Sequence, residues 1–416
     1  MTPLSREPLC PTVLAVLLAL SGAAQSADWP QFLGPTRDGV YAEPDLTDAW
    51  PKEGPTVAWR KAVGQGFSGP VISAGKLILF HRQADKEVVD CFDAQRGERV
   101  WSIDYPATYR DDFGFDEGPR ATPTIAGPHV FTVGAEGALQ CRELATGKKV
   151  WSVDAKNGFQ ADKGFFGMAC SPLVEGNAVI INVGGRNGAG IVAFDRATGK
   201  VIWKATDDEA SCSSPIAATI GGKRSAVVLT RSELVALDPA NGRIQFQFPF
   251  RPPMQASVTA ATPLIIDDSI FISASYGLGA ALLRVKADGV EKLWAADDVL
   301  SNHYATSVYR DGFLYGFDGR QEQGCLLRCV ELRTGKVRWS QDGLGAGTLM
   351  LANSDLLILT EKGELVRAPA TPAGFKPTAR AQILSFQVRA HPALANGFFY
   401  ARSKDQLVCV DLRERN

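Results

Sequence analysis

The sequence predicts an all-β protein, an eight-bladed β-propeller of four-stranded antiparallel blades whose ring is closed by an N-terminal strand. A phrase recurs in which an apolar strand end leads into an acidic residue, a glycine turn and a strand with an aromatic anchor; its plainest copy is AFDRATGKVIW at 193–203. The first seven anchors follow one another at intervals of 42, 50, 52, 43, 48 and 45 residues. Such intervals are typical of one propeller blade. The anchors, which we expect to dock neighbouring blades together, are Trp59, Trp101, Trp151, Trp203, Phe246, Trp294 and Trp339, with Phe386 as a weaker candidate for an eighth.

Each part of the phrase has a physical reason. Glycine adopts positive φ at low cost, so Gly199 can close a hairpin that most side chains would strain. The carboxylate of Asp195 can accept hydrogen bonds from the turn backbone. The large flat indole of Trp203, with its single N–H donor, is suited to a position between two neighbouring sheets. The phrase therefore predicts a structural scaffold and does not indicate any catalysed reaction.

The two ends of the repeat region are complementary. Residues 57–63 form a predicted outer strand with no hairpin before it, whereas 391–412 supply three strands and stop. Pairing the first segment with 406–412 completes an eighth blade and removes both exposed sheet edges. Blade seven is expected to be degenerate, because it lacks a tryptophan and the proline-rich 369–380 replaces its last hairpin.

The first 27 residues have the layout of a cleaved export signal. An apolar run at 13–20 is followed by small residues, which places the cleavage between Ala24 and Ala27. Cys10 precedes the apolar run, so we expect no lipid anchor. The predicted location is periplasmic or secreted.

Residues 28–56 are rich in proline and polar residues and precede the propeller, which is predicted to span 57–416. They contain Trp29, Phe32 and Tyr41, aromatic side chains that would be costly to leave in water. We therefore expect an ordered strap over the propeller surface; a flexible leader is the alternative.

The overall charge excludes one broad class of partner. The net charge is −1, from 44 basic and 45 acidic residues, and neither sign forms a long run. A protein without a basic face is not expected to bind DNA or RNA. After the N-terminal segment no apolar run is long enough to cross a bilayer. We expect a monomer.

Removal of the signal leaves seven cysteines. Four of them stand two positions before the turn acid, where other copies carry alanine, and are expected to be packed strand residues: Cys91, Cys141, Cys329 and Cys409. Cys170 and Cys212 precede the inner strands of adjacent blades and form the one plausible disulfide.

Candidate functional residues lie in the loops that join an outer strand to the next inner strand. These loops line one mouth of a propeller channel, and the longest of them is 104–120. The opposite face has mostly short turns. The loops together could bind an anionic or planar ligand, or their charges could simply be solvated. The candidates are Arg110, Asp111, Asp112, Arg120, Arg251, His303, Tyr304 and Arg389.

The repeat resembles that of the pyrroloquinoline-quinone-type (PQQ-type) propellers, with AxDxxTGKxxW present at 193–203 and a resemblance that covers about 57–412. BamB-like assembly propellers and quinoprotein alcohol dehydrogenases share this repeat. The first group implies a non-catalytic exported scaffold that binds a protein or small ligand, which we favour. The second implies an oxidoreductase that uses PQQ and calcium.

Known features of the dehydrogenase group are missing from this chain. It has no adjacent pair of cysteines and no CxxCH haem motif. The acidic loop 104–120 also lacks the residue spacing of an EF-hand type calcium loop. Its four histidines lack metal-ligand spacing. We therefore predict no catalytic residues, no metal site and no cofactor.

Overall fold

The computed structural model describes residues 27–414. In this part of the chain the strands form eight sheets, numbered here as blades 1 to 8 in chain order, and they confirm the predicted eight-bladed propeller. From the innermost to the outermost strand, blade 1 contains Val71–Ser73, Lys76–Gln83, Lys86–Asp93 and Arg99–Pro106; blade 2 contains Thr124–Ala126, His129–Val133, Ala138–Glu143 and Lys149–Asp154; blade 3 contains Leu173–Glu175, Ala178–Asn182, Ile191–Asp195 and Val201–Ala205; and blade 4 contains Ile216–Ile220, Lys223–Leu229, Glu233–Leu237 and Ile244–Pro249. Blade 5 contains Leu264–Ile266, Ser269–Ala274, Gly279–Lys286 and Gly289–Ala296; blade 6 contains Val308–Arg310, Phe313–Asp318, Leu326–Glu331 and Val337–Gln341; blade 7 contains Gly347–Ala352, Asp355–Thr360, Glu364–Pro369 and Ala379–Gln382; and blade 8 contains Ala393–Ala395, Phe398–Arg402, Gln406–Asp411 and Thr56–Ala62.

Helix is nearly absent from this part of the chain. One short helix, Ala155–Gly158, follows blade 2, and the Asp154 side chain accepts a hydrogen bond from the Asn157 amide (2.9 Å) at its start. No helix within 27–414 has the length and apolar character needed to cross a bilayer. The predicted signal lies almost entirely outside the described residues.

Ring closure by an N-terminal strand is confirmed. Thr56–Ala62 pairs antiparallel with Gln406–Asp411, with Trp59 opposite Cys409. The first and last strands of the repeat region therefore belong to one sheet, and neither leaves an unpaired edge at the point of closure.

Five of the tryptophan anchors contact the glycine turn of the next blade. The Trp203 side chain is buried, and its Nε1 donates to the Pro239 carbonyl (3.0 Å) in the turn of blade 4. Gly242 in that turn has φ of +74°, and a Cβ there would lie 2.6 Å from the Trp203 ring. The glycine is thus required both by the turn and by the flat indole that covers it. Equivalent Nε1 bonds run from Trp59 to Ala94, from Trp101 to Leu144, from Trp151 to Arg196, from Trp294 to Leu332 and from Trp339 to Thr371.

The expectation that Phe386 is an anchor is wrong. Its side chain is 61% exposed, and it lies after the outer strand of blade 7, Ala379–Gln382. At the junction of blades 6 and 7, where blade 7 lacks the glycine turn, Trp339 of blade 6 packs against Phe375, with ring centroids 5.9 Å apart. The proline-rich segment has therefore taken over the role of the missing glycine turn.

Serine and threonine side chains join the inner strands around the channel. The Thr122 hydroxyl accepts from the Gly69 amide (3.0 Å), and the Ser171 hydroxyl accepts from the Thr122 amide (2.9 Å). The Ser214 hydroxyl accepts in turn from the Ser171 amide (2.9 Å). In blades 2, 3 and 4 the small polar residue before the inner-strand proline therefore links its blade to the preceding one, in addition to fitting the crowded axis.

Residues 28–41, called the axial plug below, occupy the channel and do not lie over the surface as expected. The Trp29 amide donates to the Ile72 carbonyl (2.9 Å) of blade 1, and the Ile72 amide donates back (2.8 Å). Val40–Tyr41 pairs parallel with the inner strand of blade 7, through Leu351 and Ala352. Trp29 and Tyr41 are buried and Phe32 is half-buried, so these side chains are largely removed from water, as expected for an ordered segment, but at a different place.

Arg37 at the centre of the plug is 1% exposed and binds three blades. Its guanidinium donates to the carbonyls of Pro215 (2.7 Å) and Pro172 and to the Thr124 hydroxyl (3.3 Å). Burial lowers its pKa to about 9. The plug is therefore held by polar bonds as well as by apolar contact.

Candidate functional site

A cavity of about 340 Å³ lies where the loops after the outer strands converge, and we call it the loop-face cavity. Phenylalanines dominate its wall, and Phe32 of the axial plug is one of them. The others come from loops before blades 1, 2 and 3: Phe67, Phe113, Phe115, Phe165 and Phe166. The plug therefore forms part of the site as well as filling the channel.

Two arginines are stacked on these rings. The Arg120 guanidinium lies 5.3 Å from the Phe67 centroid and 4.8 Å from that of Phe166. The Arg389 guanidinium lies 5.5 Å from the Phe67 centroid and 5.2 Å from that of Phe115. A cation at this distance from an aromatic face is attracted by the ring quadrupole. The arginines and rings consequently order one another.

Carboxylates behind the arginines hold them in place. The Arg389 Nε donates to Glu361 Oε1 (2.8 Å), which also accepts from the Tyr304 hydroxyl (3.1 Å). Burial and the neighbouring Glu361 carboxylate raise the pKa of Tyr304. The phenol is therefore neutral and acts as a donor to Glu361.

Asp111 organises the loop that carries two of the phenylalanines. Its side chain is fully buried and accepts from the backbone amides of Phe113 (3.2 Å), Phe115 (2.7 Å) and Asp116 (3.0 Å). Arg120 lies 3.4 Å from the same carboxylate. Asp111 therefore positions the aromatic rim and does not line the cavity.

A tyrosine–histidine–glutamine chain forms the opposite wall. His303 Nδ1 lies 2.6 Å from Gln321 Oε1, and its Nε2 lies 3.0 Å from the Tyr276 hydroxyl. Because an amide oxygen only accepts, this assignment places the proton on Nδ1 and makes Tyr276 the donor to Nε2. Burial lowers the pKa of His303, so the ring is neutral at pH 7. Arg320 lies 4.6 Å from the Tyr276 centroid.

His391 has an unsatisfied nitrogen. This residue lines the cavity, is 7% exposed and packs edge-on against Phe32 with centroids 5.0 Å apart. Its Nε2 is buried and has no hydrogen-bond partner in the described structure. Burial lowers its pKa to about 4. A buried polar atom without a partner costs free energy, and a ligand can recover that cost by bonding to it.

The structure brings half of the predicted site residues to this cavity. Those that line it are Arg120, His303, Tyr304 and Arg389. Arg110 pairs with Glu117 (3.1 Å), and Asp112 pairs with Lys163 (2.7 Å), both outside the cavity wall. Arg251 is exposed and donates to the Ser232 hydroxyl (3.2 Å), also away from the wall.

Several lining residues come from loops that sequence reasoning did not consider. Tyr276 and the Arg320–Gln321–Glu322 run lie in hairpins between second and third strands. Because strands alternate in direction, these hairpins open on the same face as the loops after the outer strands. Phe165 and Phe166 were also missed, although two adjacent phenylalanines flanked by glycines in a connecting loop are a usable signal.

The described residues contain neither the Cys170–Cys212 disulfide nor a group of side chains that could hold a metal ion. Cys170 and Cys212 are both free thiols, and Cys170 Sγ lies 3.4 Å from the Asn182 amide. Between residues 27 and 414 no three or more histidine, cysteine, aspartate or glutamate side chains are grouped so that they could hold a metal ion.

Solved structures similar to this one include BamB and quinohemoprotein alcohol dehydrogenases. BamB from Moraxella catarrhalis superposes with a TM-score of 0.64 at 14% identity, over 87% of this chain and 98% of that one. Quinohemoprotein alcohol dehydrogenase from Comamonas testosteroni gives 0.64 at 15% identity, over 94% of this chain and 81% of that one. Quinohemoprotein alcohol dehydrogenase ADHIIG from Pseudomonas putida HK5 gives 0.67 at 13% identity, over 94% and 81%. At these identities the similarity shows the fold alone.

No curated protein matches the chain in sequence. The family profile described as outer membrane protein assembly factor BamB, a PQQ-type repeat profile, matches residues 84–341. That match spans more than half of the chain and contains the repeat copies of blades 2 to 6 whole. On this repeat and on the propeller that it builds, the chain belongs to the BamB-like family of PQQ-type repeat proteins.

Proposed function

We propose that this protein is an exported, non-catalytic propeller that binds a protein or a small ligand in the loop-face cavity. The observation that carries the proposal is the ordered state of the cavity wall: Arg120 and Arg389 are already stacked between phenylalanine rings. Binding to side chains that are already fixed avoids much of the entropy cost of ordering them.

The family supports a binding role. It is named for an outer membrane protein assembly factor, BamB, and BamB is among the similar structures. An exported protein is therefore a reasonable kind of partner for this chain. The signal predicted at 1–27 would deliver the protein to the periplasm or the outside of the cell.

A quinone-dependent oxidoreductase is the alternative. An aromatic cavity on the axis of a propeller, in a fold shared with quinohemoprotein alcohol dehydrogenases, favours it. Against it, the carboxylates nearest the cavity are engaged by arginines: Glu361 with Arg389 (2.8 Å) and Glu322 with Arg320 (3.3 Å). These acids are poorly placed to bind a calcium ion as well.

Partner capture with matched arginine variants tests the binding role. Wild-type protein, Arg389→Gln and Arg251→Gln are each immobilised and exposed to an extract of exported proteins and metabolites, and bound molecules are quantified by mass spectrometry. Arg251 is the control because it is exposed on the same face but does not line the cavity. We expect Arg251→Gln to retain what wild type binds and Arg389→Gln to lose it. Equal retention by both variants would place the binding surface elsewhere.

A second assay separates the two functions. Purified protein is mixed with pyrroloquinoline quinone and calcium, and both its melting temperature and dye-coupled oxidation of alcohols and sugars are followed. The binding proposal expects no oxidation. Oxidation that requires the quinone would establish the alternative.

A further inference from the structure

Six phenylalanines and two tyrosines line the loop-face cavity. Aromatic faces of this kind favour a planar ring, which stacks or packs edge-on against them. The volume of about 340 Å³ lies within the usual range for a small-molecule site.

The charge of the wall favours an anion. Three arginines and one glutamate line the cavity, which gives the lining a net charge of +2 because burial lowers the pKa values of both lining histidines. Glu361 and Asp111 lie behind Arg389 and Arg120 and offset part of this charge. Arg389 uses its Nε for Glu361, whereas its two terminal nitrogens have no hydrogen-bond partner in 27–414. A guanidinium edge with free N–H groups matches a carboxylate.

The unsatisfied Nε2 of His391 favours a polar group on the ligand. This nitrogen is buried, belongs to a residue that lines the cavity and has no hydrogen-bond partner among the described residues. In a neutral imidazole it is either an N–H donor or an acceptor, according to the tautomer. A ring hydroxyl satisfies it in either case, because a hydroxyl both donates and accepts.

These contacts together define one ligand chemistry. We infer that the cavity binds an aromatic carboxylate whose ring carries a hydroxyl group, with Arg389 at the carboxylate and His391 at the hydroxyl. The inference rests on the proposed binding function and specifies its ligand. A free phenolic acid and the C-terminal tyrosine of a peptide both have this chemistry.

Calorimetric titration with matched probes tests the inference on the wild-type protein. The probes are para-hydroxyphenylpropionate, phenylpropionate without the hydroxyl, and tyramine with an amine in place of the carboxylate. We expect the first to bind about tenfold more tightly than either of the others, because each lost bond leaves a buried group unpaired. A short peptide ending in tyrosine, with a free or an amidated carboxyl terminus, shows which source the site prefers.

Variants test which residue contacts each polar group of the ligand. Arg389→Gln should weaken para-hydroxyphenylpropionate but leave para-ethylphenol, which has no carboxylate, unchanged. His391→Phe should abolish the preference for the hydroxylated acid over phenylpropionate. Arg251→Gln serves as the control and should bind every probe like wild type, and melting temperatures verify that each variant is folded.

Two results would overturn the inference. One is that neither the free acid nor the peptide with a free carboxyl terminus binds wild type, and the other is that tyramine or phenylpropionate binds as tightly as the hydroxylated acid. If Arg389→Gln loses the captured partner and no probe binds the wild-type protein, this ligand is rejected and the proposed binding function is retained. Retention of the partner by that variant would reject the proposed function, binding in the loop-face cavity, and place the binding surface elsewhere.

Discussion

At the scale of single residues, Trp203 shows how one contact joins two blades. Its ring covers Gly242 of blade 4, and its Nε1 bonds to the Pro239 carbonyl (3.0 Å). The same arrangement recurs in four other tryptophans, and a fifth, Trp339, makes the Nε1 bond without the glycine. The stability of the ring is therefore distributed over repeated and nearly identical contacts.

Trp203→Ala is expected to lower the free energy of unfolding by about 3 to 5 kcal/mol, because it removes a buried aromatic side chain from a packed junction. Phe386→Ala is the matched control. That side chain is 61% exposed, so its loss should change stability by less than about 0.5 kcal/mol. Urea unfolding followed by circular dichroism measures both. Equal effects would contradict the docking role of Trp203.

His391 makes stability depend on pH. Burial lowers its pKa from 6.5 to about 4, so between these values the unfolded chain binds a proton that the folded protein does not. Stability contributed by neutral His391 is thus present above pH 6.5 and is lost as the pH falls towards 4, by about 3 kcal/mol in total.

The measurement compares wild type with His391→Phe by urea unfolding at several pH values from neutral to about pH 4. Burial also lowers the pKa values of His81 and His303, which act in the same direction. The difference between the two proteins isolates His391, and the variant should lose less stability on acidification. Parallel pH profiles would show that His391 titrates normally in the folded protein.

At the scale of elements, the strand Thr56–Ala62 closes the ring. It supplies the outer strand of blade 8 and carries Trp59, whose Nε1 bonds to the Ala94 carbonyl (3.0 Å) of blade 1. Closure therefore joins the ends of the chain both within a sheet and across a blade junction.

Deleting residues 56–62 should expose the edge of Gln406–Asp411 and cause self-association. Light scattering with size-exclusion chromatography measures association, and thermal unfolding measures stability. We expect oligomers and a lower melting temperature. A monomer that melts like wild type would show that closure contributes nothing to the ring.

At the scale of the whole molecule, the axial plug makes the channel part of the folded core. It pairs with inner strands of blades 1 and 7, and Arg37 reaches blades 2, 3 and 4. Phe32 of the same segment lines the loop-face cavity. The segment before the propeller therefore connects blade packing to the candidate site.

Arg37→Ala is expected to cost about 3 kcal/mol, because it leaves buried carbonyls of several blades without their charged donor. Arg96→Ala is the control, since the Arg96 side chain is exposed, and it should change stability by less than about 0.5 kcal/mol. Equal unfolding midpoints in urea for the two variants would show that the plug is held by its apolar contacts alone.

The propeller itself could be predicted from the sequence because its signals are local. The turn phrase at 193–203, the blade-length interval between anchors and the unpaired strand at 57–63 each lie within one blade or at one end of the chain. The same logic failed at Phe386, where blade 7 departs from the repeat and the side chain is exposed. Repetition makes such signals strong, and a degenerate blade loses them.

Which residues line the cavity together depends on the tertiary structure. Arg120, His303, Tyr304 and Arg389 were predicted from the loops after the outer strands, and all of them line it. Tyr276 came from a second–third strand hairpin, Phe32 from the axial plug, and the unpartnered Nε2 of His391 from burial that no local pattern encodes. The sequence by itself determined the ring, because each blade is built from neighbouring residues. Only the closed ring brought residues as distant as 32 and 391 together, because contacts across the axis depend on every blade between them.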